Sequence, residues 1–285
     1  MRVPSGPFRE GYSEVYWEDS KCGVRVKYNY HGSSPIPCRY DSYVIVSEYS
    51  IALRRNGKWG ILSHKNEVLC DFVYDRIEKT PDWTNLCMAM RNGRWGLIFG
   101  DSGSIACGFN YDQIKPMKIK TKARRELPGE SYNQDYRYND YFWLLYADGK
   151  VFPYDDNANM IYPRGFDNVY GMIQYGPGRK DVCFIVENNY KKGLLRTDGQ
   201  LICKCEFEEI KQIEGYSIRD KSFFCLAIVK QNNLWGLLGN NGKQVLGCEF
   251  DDIKSVGSAI ALKHSNSWGV LPLNQVLKII TASCD

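Results

Sequence analysis

The segment most able to do chemistry is residues 115–125, KPMKIKTKARR, with six Lys/Arg and no acid. Lys118, Lys120, Lys122 and Arg124 alternate with Ile119, Thr121 and Ala123, and Arg125 follows directly. A period of two places the four alternating cations on one face of an extended strand. Leu127-Pro128-Gly129 marks a turn, and Tyr132, Tyr136, Tyr138 and Tyr141 follow among polar residues. Cations with nearby rings can neutralise phosphates and stack on planar groups. The competing expectation is a solvated hairpin whose lysines keep an exposed edge from pairing. The segment contributes +6 to a net charge of +4, so the other 274 residues sum to −2. That body offers no extended basic track, which disfavours nucleic acid as the partner.

Other chemistry-bearing residues read as structural. Cys203-Lys204-Cys205 resembles a metal hook, but zinc ligands are usually spaced by two to four residues and completed by a second pair, which is missing nearby in sequence. His31, His64 and His264 fall at turns or strand ends. The pairs Asp155-Asp156 and Asp251-Asp252 sit in turn contexts, and Gly239-Asn240-Asn241-Gly242-Lys243-Gln244 is a hairpin turn rather than a phosphate loop. The G-x-S-x-G and H-E-x-x-H signatures are absent. No catalytic residue, metal ligand or cofactor is therefore assigned.

The chain has 285 residues, 44% hydrophobic and 25% charged. Eleven Cys in a chain of this length are too sparse for a disulfide scaffold and are expected as reduced thiols. No apolar run approaches the roughly 18 residues of a membrane span, and the N-terminus lacks the apolar core of a secretory signal. A soluble cytoplasmic protein is expected.

What organises the chain is a repeat. Asn56-Gly57-Lys58-Trp59-Gly60-Ile61-Leu62 recurs around Trp95-Gly96, Trp235-Gly236 and Trp268-Gly269. Weaker copies stand at Lys21-Cys22-Gly23, Lys150-Val151-Phe152 and Lys191-Lys192-Gly193. An aromatic, then Asp or Glu, then a variable residue and an aliphatic or aromatic one follow each copy except the last, as in Tyr74-Asp75-Arg76-Ile77 and Phe250-Asp251-Asp252-Ile253. The offset from the Gly position is 14 or 15 residues in five copies and 17 in the first. Two motifs held at a near-fixed offset define a tandem repeat.

This pattern resembles the WG repeat family, a bacterial type whose unit runs N-G-K-W-G, a Gly turn, an apolar stretch and Y-D-x-I. Pro7-Phe8-Arg9-Glu10-Gly11-Tyr12-Ser13-Glu14-Val15 is similar to the segment preceding W-G in that family. The likeness runs from about residue 7 to 280, and departures stand at Cys22, Val151-Phe152 and Lys192. It implies a scaffold and no chemistry.

Each unit reads as three or four antiparallel strands with an Asn-Gly hairpin before the W-G strand. Trp59, Trp95, Trp235 and Trp268 are expected to bury their rings against the next unit, and Gly60, Gly96, Gly236 and Gly269 to admit a close backbone or ring. Replacing Trp95 or Trp235 by Ala is then expected to cost about 3–5 kcal/mol, and Lys192 to tolerate Ala far better. The motif acids are expected to accept bonds from turn amides, and the cysteines to fill small buried strand positions.

The fold class is all-β: seven units, near 7–38, 39–72, 73–109, 110–164, 165–205, 206–248 and 249–280, in a single repeat domain. A β-propeller is favoured over an open twisted array. The last unit lacks its Tyr-Asp element, so the N-terminal segment is expected to complete it. The third and fourth Gly positions lie 56 residues apart instead of about 36, the excess being a basic Tyr-rich insert at 115–141. Binding is expected there, to a protein partner or, alternatively, to a small anionic or nucleotide-like ligand. An enzyme with a site at the ring centre is the lesser alternative.

Overall fold

The computed structural model describes residues 13–27, 32–80, 84–125, 134–174, 182–217, 222–239, 242–257, 259–272 and 275–276. The N-terminal segment expected to complete the last unit lies outside them, as do His31 and Tyr132.

The chain is all-β and forms seven antiparallel sheets in sequence order. The first holds β1 (Ser13–Glu18), β2 (Lys21–Val26) and β3 (Ile36–Tyr40). The second holds β4 (Ser42–Ile45), β5 (Ser50–Arg55), β6 (Lys58–Ser63) and β7 (Val68–Tyr74). The third is β8 (Arg76–Lys79), β9 (Leu86–Arg91), β10 (Arg94–Phe99) and β11 (Ile105–Tyr111). The fourth is β12 (Gln113–Arg125), β13 (Gln134–Ala147) and β14 (Lys150–Tyr154). The fifth is β15 (Asn168–Gln174), β16 (Val182–Asn188), β17 (Lys191–Arg196) and β18 (Leu201–Phe207). The sixth is β19 (Glu209–Ser217), β20 (Ser222–Gln231), β21 (Leu234–Leu238) and β22 (Gln244–Phe250). The seventh is β23 (Asp252–Val256), β24 (Ala259–His264) and β25 (Ser267–Pro272). Two compact units result, one containing the first three sheets and the other the last three, with fourth-sheet strands contributing to both.

The second sheet shows how sequence becomes layer. Asn56 and Gly57 take φ of 52° and 80°, the type I′ turn that matches strand twist and joins β5 to β6. The other six copies of this turn also put two successive residues at positive φ, even where Gly is replaced, as at Asn189-Tyr190 and Asn232-Asn233. Ile51, Leu53 and Leu62 pack into a core with Cys22, Val24, Ile36 and Tyr40 of the first sheet. Their neighbours Ala52 and Ile61 point the other way, into a core with Ile77, Cys87, Ala89 and Ile98 of the third. A strand buried on both faces reads as an unbroken apolar run, and each fully buried aliphatic contributes about 1.5–3 kcal/mol. The second unit repeats the scheme: Leu194, Phe207, Ile210 and Val229 share one core, and Ile228, Leu237, Ile253 and Ile260 share another.

The W-G pair marks a bulge. Trp59 lies opposite Tyr74 and Ile61 opposite Cys70, so two residues of β6 face four of β7. The same step pairs Trp95 with Tyr111, Lys192 with Phe207 and Trp235 with Phe250. The surplus backbone is pushed against the glycine: a Cβ on Gly60 would meet the Cys70 carbonyl at 2.9 Å, and one on Gly236 the Leu246 carbonyl at 2.7 Å. Gly is obligatory because the partner strand fills its side-chain space.

The tryptophans themselves depart from expectation. Trp59, Trp95 and Trp235 are half-buried and Trp268 is exposed, whereas Tyr74 and Tyr111, opposite Trp59 and Trp95, are buried and Phe250, opposite Trp235, is half-buried. The Trp ring lies on the sheet surface beneath a cation: Arg76 over Trp95, Lys211 over Trp235 at 4.1 Å and Lys254 over Trp268 at 4.9 Å. Cys38, Cys205 and Cys248, two before the aromatic, lie on the bulge and are half-buried; of those four before it, Cys107 and Cys203 are buried and Cys70 is half-buried.

The aromatic ends one sheet and the acid after it opens the next. Asp75 accepts a bond from the Gly93 amide in the following sheet's hairpin turn, Asp167 from Asn189, and Glu208 from Asn232 and Asn233. These acids also pair with the cation that precedes the W-G position in the sheet just completed: Lys58 with Asp75, Lys150 with Asp167, Lys191 with Glu208. Lys21–Asp41 and Arg94–Asp112 complete the series. Exposed pairs contribute about 0–1 kcal/mol each, so their main role is alignment of successive sheets, while burial supplies the stability.

Candidate functional site

The basic segment builds an unusually long hairpin. β12 and β13 run for 13 and 14 residues, whereas β4 and β8, the corresponding first strands of earlier sheets, have four each. The hairpin is rooted in the core by Tyr141, Phe142, Trp143, Leu144 and Leu145, all buried. At its foot Lys115 Nζ stands 5.0 Å from the centre of the Tyr146 ring.

Lys118, Lys120, Lys122, Arg124 and Arg125 all fall on β12, and the side chains beyond Lys118 lie outside the described residues. Lys118 is exposed. Tyr136 and Tyr138 fall on β13, with their side chains likewise outside the described residues. The outer strand segments, residues 118–125 and 134–140, belong to the same compact unit as the last three sheets.

A second lengthened hairpin was not expected. β19 and β20 have nine and ten residues and pair continuously to Ser217 and Ser222. The sequence hides it because the 43-residue spacing from Gly193 to Gly236 stays close to the 41 residues of the unit before it.

The units flanking the long β12–β13 hairpin are compensated rather than relaxed. Phe152 stands where W-G has its Gly, and Gly165 beside the facing Phe166 takes a positive φ of 61°, where a Cβ would meet the Phe152 ring at 2.8 Å. Large and small residues have exchanged sides. In the fifth sheet, Lys192 replaces Trp, and its Nζ lies 5.3 Å from the Tyr170 ring on β15. In the sixth the order is reversed, with Lys211 on the first strand and Trp235 on the third.

The remaining candidates are structural. Desolvation by burial raises the thiols of Cys87 and Cys203 to about 12, away from nucleophilic use. Among the described residues no three His, Cys, Asp or Glu side chains form a group that could hold a metal ion. The Asp155 carboxylate accepts bonds from the Asn157 and Asn159 amides and shapes its own turn. His264 Nδ1 lies 3.1 Å from the Glu249 carbonyl oxygen, and the His64 ring contacts Tyr49. The hydroxyls of Tyr111 and Tyr154 hydrogen-bond each other at 2.6 Å, and desolvation pushes both phenols up. No described helix is long and apolar enough to cross a membrane.

No family model and no curated protein matches the chain. Among solved structures it is similar to "KlHsv2 with loop 6CD replaced by a Gly-Ser linker", at 9% identity and a TM-score of 0.29, covering 88% of this chain and 85% of that one. It is also similar to BBS1N, solved in complex with ARL6DN and soaked with lead, at 13% identity and a TM-score of 0.26, covering 90% and 83%. Likenesses at these TM-scores carry no argument about function.

Proposed function

We propose that the chain is a non-catalytic binding scaffold of the WG-repeat type, and that its long cationic hairpin docks an acidic surface of a protein partner. The observation that supports this reading is how the repeated groups are used. The motif acids cap turns, and the W-G glycines receive bulges in every four-stranded sheet. The chief departure carrying net charge is β12, whose residues 115–125 add six cations without an acid. Clustered cations on one face attract acidic partners and speed encounter.

The test is affinity capture from lysate, comparing intact protein with Lys118→Glu, Lys120→Glu and Lys122→Glu combined, and identifying co-purifying proteins and small molecules by mass spectrometry. A partner held by the native protein and lost on charge reversal is the expected result. Partners unchanged by the reversal would overturn the assignment to the hairpin. An anion retained without any protein would instead identify a small-ligand binder.

A further inference from the structure

The seventh sheet differs from the four-stranded sheets at one edge. In the four-stranded sheets the W-G strand is covered on its outer side by a fourth strand: β7, β11, β18 or β22. Among the described residues β25 has no such neighbour. The residue after the glycine reports the difference. Ile61, Leu97, Leu194 and Leu237 are at most 5% exposed, whereas Val270 is 68% exposed. Gly60, Gly96, Gly193 and Gly236 each meet partner backbone within 3 Å of a built Cβ, and Gly269 meets nothing within 4 Å. Trp268 beside it is 48% exposed. An apolar edge with free backbone groups is a template for strand addition.

The sibling sheets specify what the edge accepts. Their fourth strands place Cys70, Cys107, Cys203 or Leu246 opposite the residue after the glycine. Four positions later Tyr74, Tyr111, Phe207 or Phe250 lies opposite the Trp position. The two-residue surplus forms the bulge that occupies the glycine's side-chain space. We propose that the outer edge of β25 is a strand-acceptor site for an extended segment of another protein carrying an aliphatic residue or Cys and, four positions later, Tyr or Phe. The incoming ring lands opposite Trp268, and Val270 is covered by the smaller residue. Acid after the aromatic is not selected, because Ser267 stands where Lys58, Arg94 and Lys191 pair with that acid in other sheets. This site is independent of the β12–β13 hairpin, so the two readings fail separately.

The probe is a synthetic peptide of sequence VLCDFVYD, which is residues 68–75 of this chain, added to the full-length protein. The readouts are a binding titration and hydrogen exchange of the 267–271 amides. Saturable binding with slowed exchange is expected. Affinity should fall about tenfold or more for the peptide VLCDFVSD, and binding should be lost in Gly269→Val. That variant should keep the native melting temperature, because nothing occupies the space its side chain enters. Absence of protection in the full chain would overturn the proposal, as would equal binding of the two peptides. Protection gained only after removal of residues 1–12 or of residues 277–285 would also overturn it, by showing that a segment of the chain itself holds the edge.

Discussion

The fifth and sixth sheets do the same job with residues exchanged. In the sixth, Lys211 on the first strand covers Trp235 on the third; in the fifth, Tyr170 on the first strand lies against Lys192 on the third. Both hold a glycine against the bulge, at Gly193 and Gly236. Both put a Phe opposite the Trp position, at Phe207 and Phe250. The repeat therefore preserves contacts rather than letters, and the Phe152–Gly165 exchange in the preceding unit follows the same rule.

The largest break in this comparison should come from the aromatic that is buried, not from the tryptophan that names the motif. Phe207→Ala should cost about 3–5 kcal/mol, because its ring is 1% exposed in the core shared by the two sheets. Trp235→Ala should cost about 2 kcal/mol, since only part of its ring leaves water. Paired chemical-denaturation curves decide this, and equal losses would mean that the half-exposed ring counts as core.

Overpacking comes next. Gly236→Ala should destabilise by about 1–3 kcal/mol, because the new Cβ would meet the Leu246 carbonyl at 2.7 Å. A thermal melt unchanged by that substitution would show that the bulge can retreat.

A smaller effect sharpens the exchange. Lys192→Ala should cost about 0.5–1 kcal/mol through the lost cation–ring contact. Combining Tyr170→Lys with Lys192→Trp should rebuild the sixth-sheet arrangement and recover much of what the single changes lose. Strictly additive losses in the double-mutant cycle would mean that the two side chains are not coupled.

The gentlest probe is pH. Asp41, Asp75 and Asp167 are held below the ordinary 3.8, chiefly by Lys21, Lys58 and Lys150 respectively. Glu208 is held below 4.5, chiefly by the Asn233 amide. Depressed carboxylates stabilise the fold fully above their unfolded values and lose that contribution as pH falls through the folded ones. The melting temperature should be steady from neutral pH to about 5 and decline below the ordinary values, less steeply in Asp75→Asn. An identical acid slope in that variant would remove the latch from the account.

Much of this was legible in the sequence. The Asn-Gly turns, the strand pattern and the fixed motif offset led to seven sheets, and the expectation that motif acids bind turn amides holds at Asp75, Asp167 and Glu208. The Lys–acid latches were missed because their partners lie about 17 residues apart, across a sheet junction that periodicity does not register. Burial of the tryptophans was overestimated for a related reason. Ring size argues for the core, but only the fold shows that Tyr74 and Tyr111, opposite Trp59 and Trp95, already fill it. The basic hairpin was visible as excess length and charge. The exchanged pairs at Lys192 and Phe152 looked like decay because a linear motif records one position at a time and compensation involves two.

One feature bears on how the chain is made. Within each sheet, among the described residues, every strand pairs with its immediate predecessor or successor in sequence. Such short-range pairing keeps loop-closure entropy small and contact order low for an all-β protein. During synthesis each sheet can close once its own strands have emerged, and it then offers a finished apolar face to the next. The acid at each sheet junction meets the next hairpin turn once that turn forms, so assembly can follow the direction of translation.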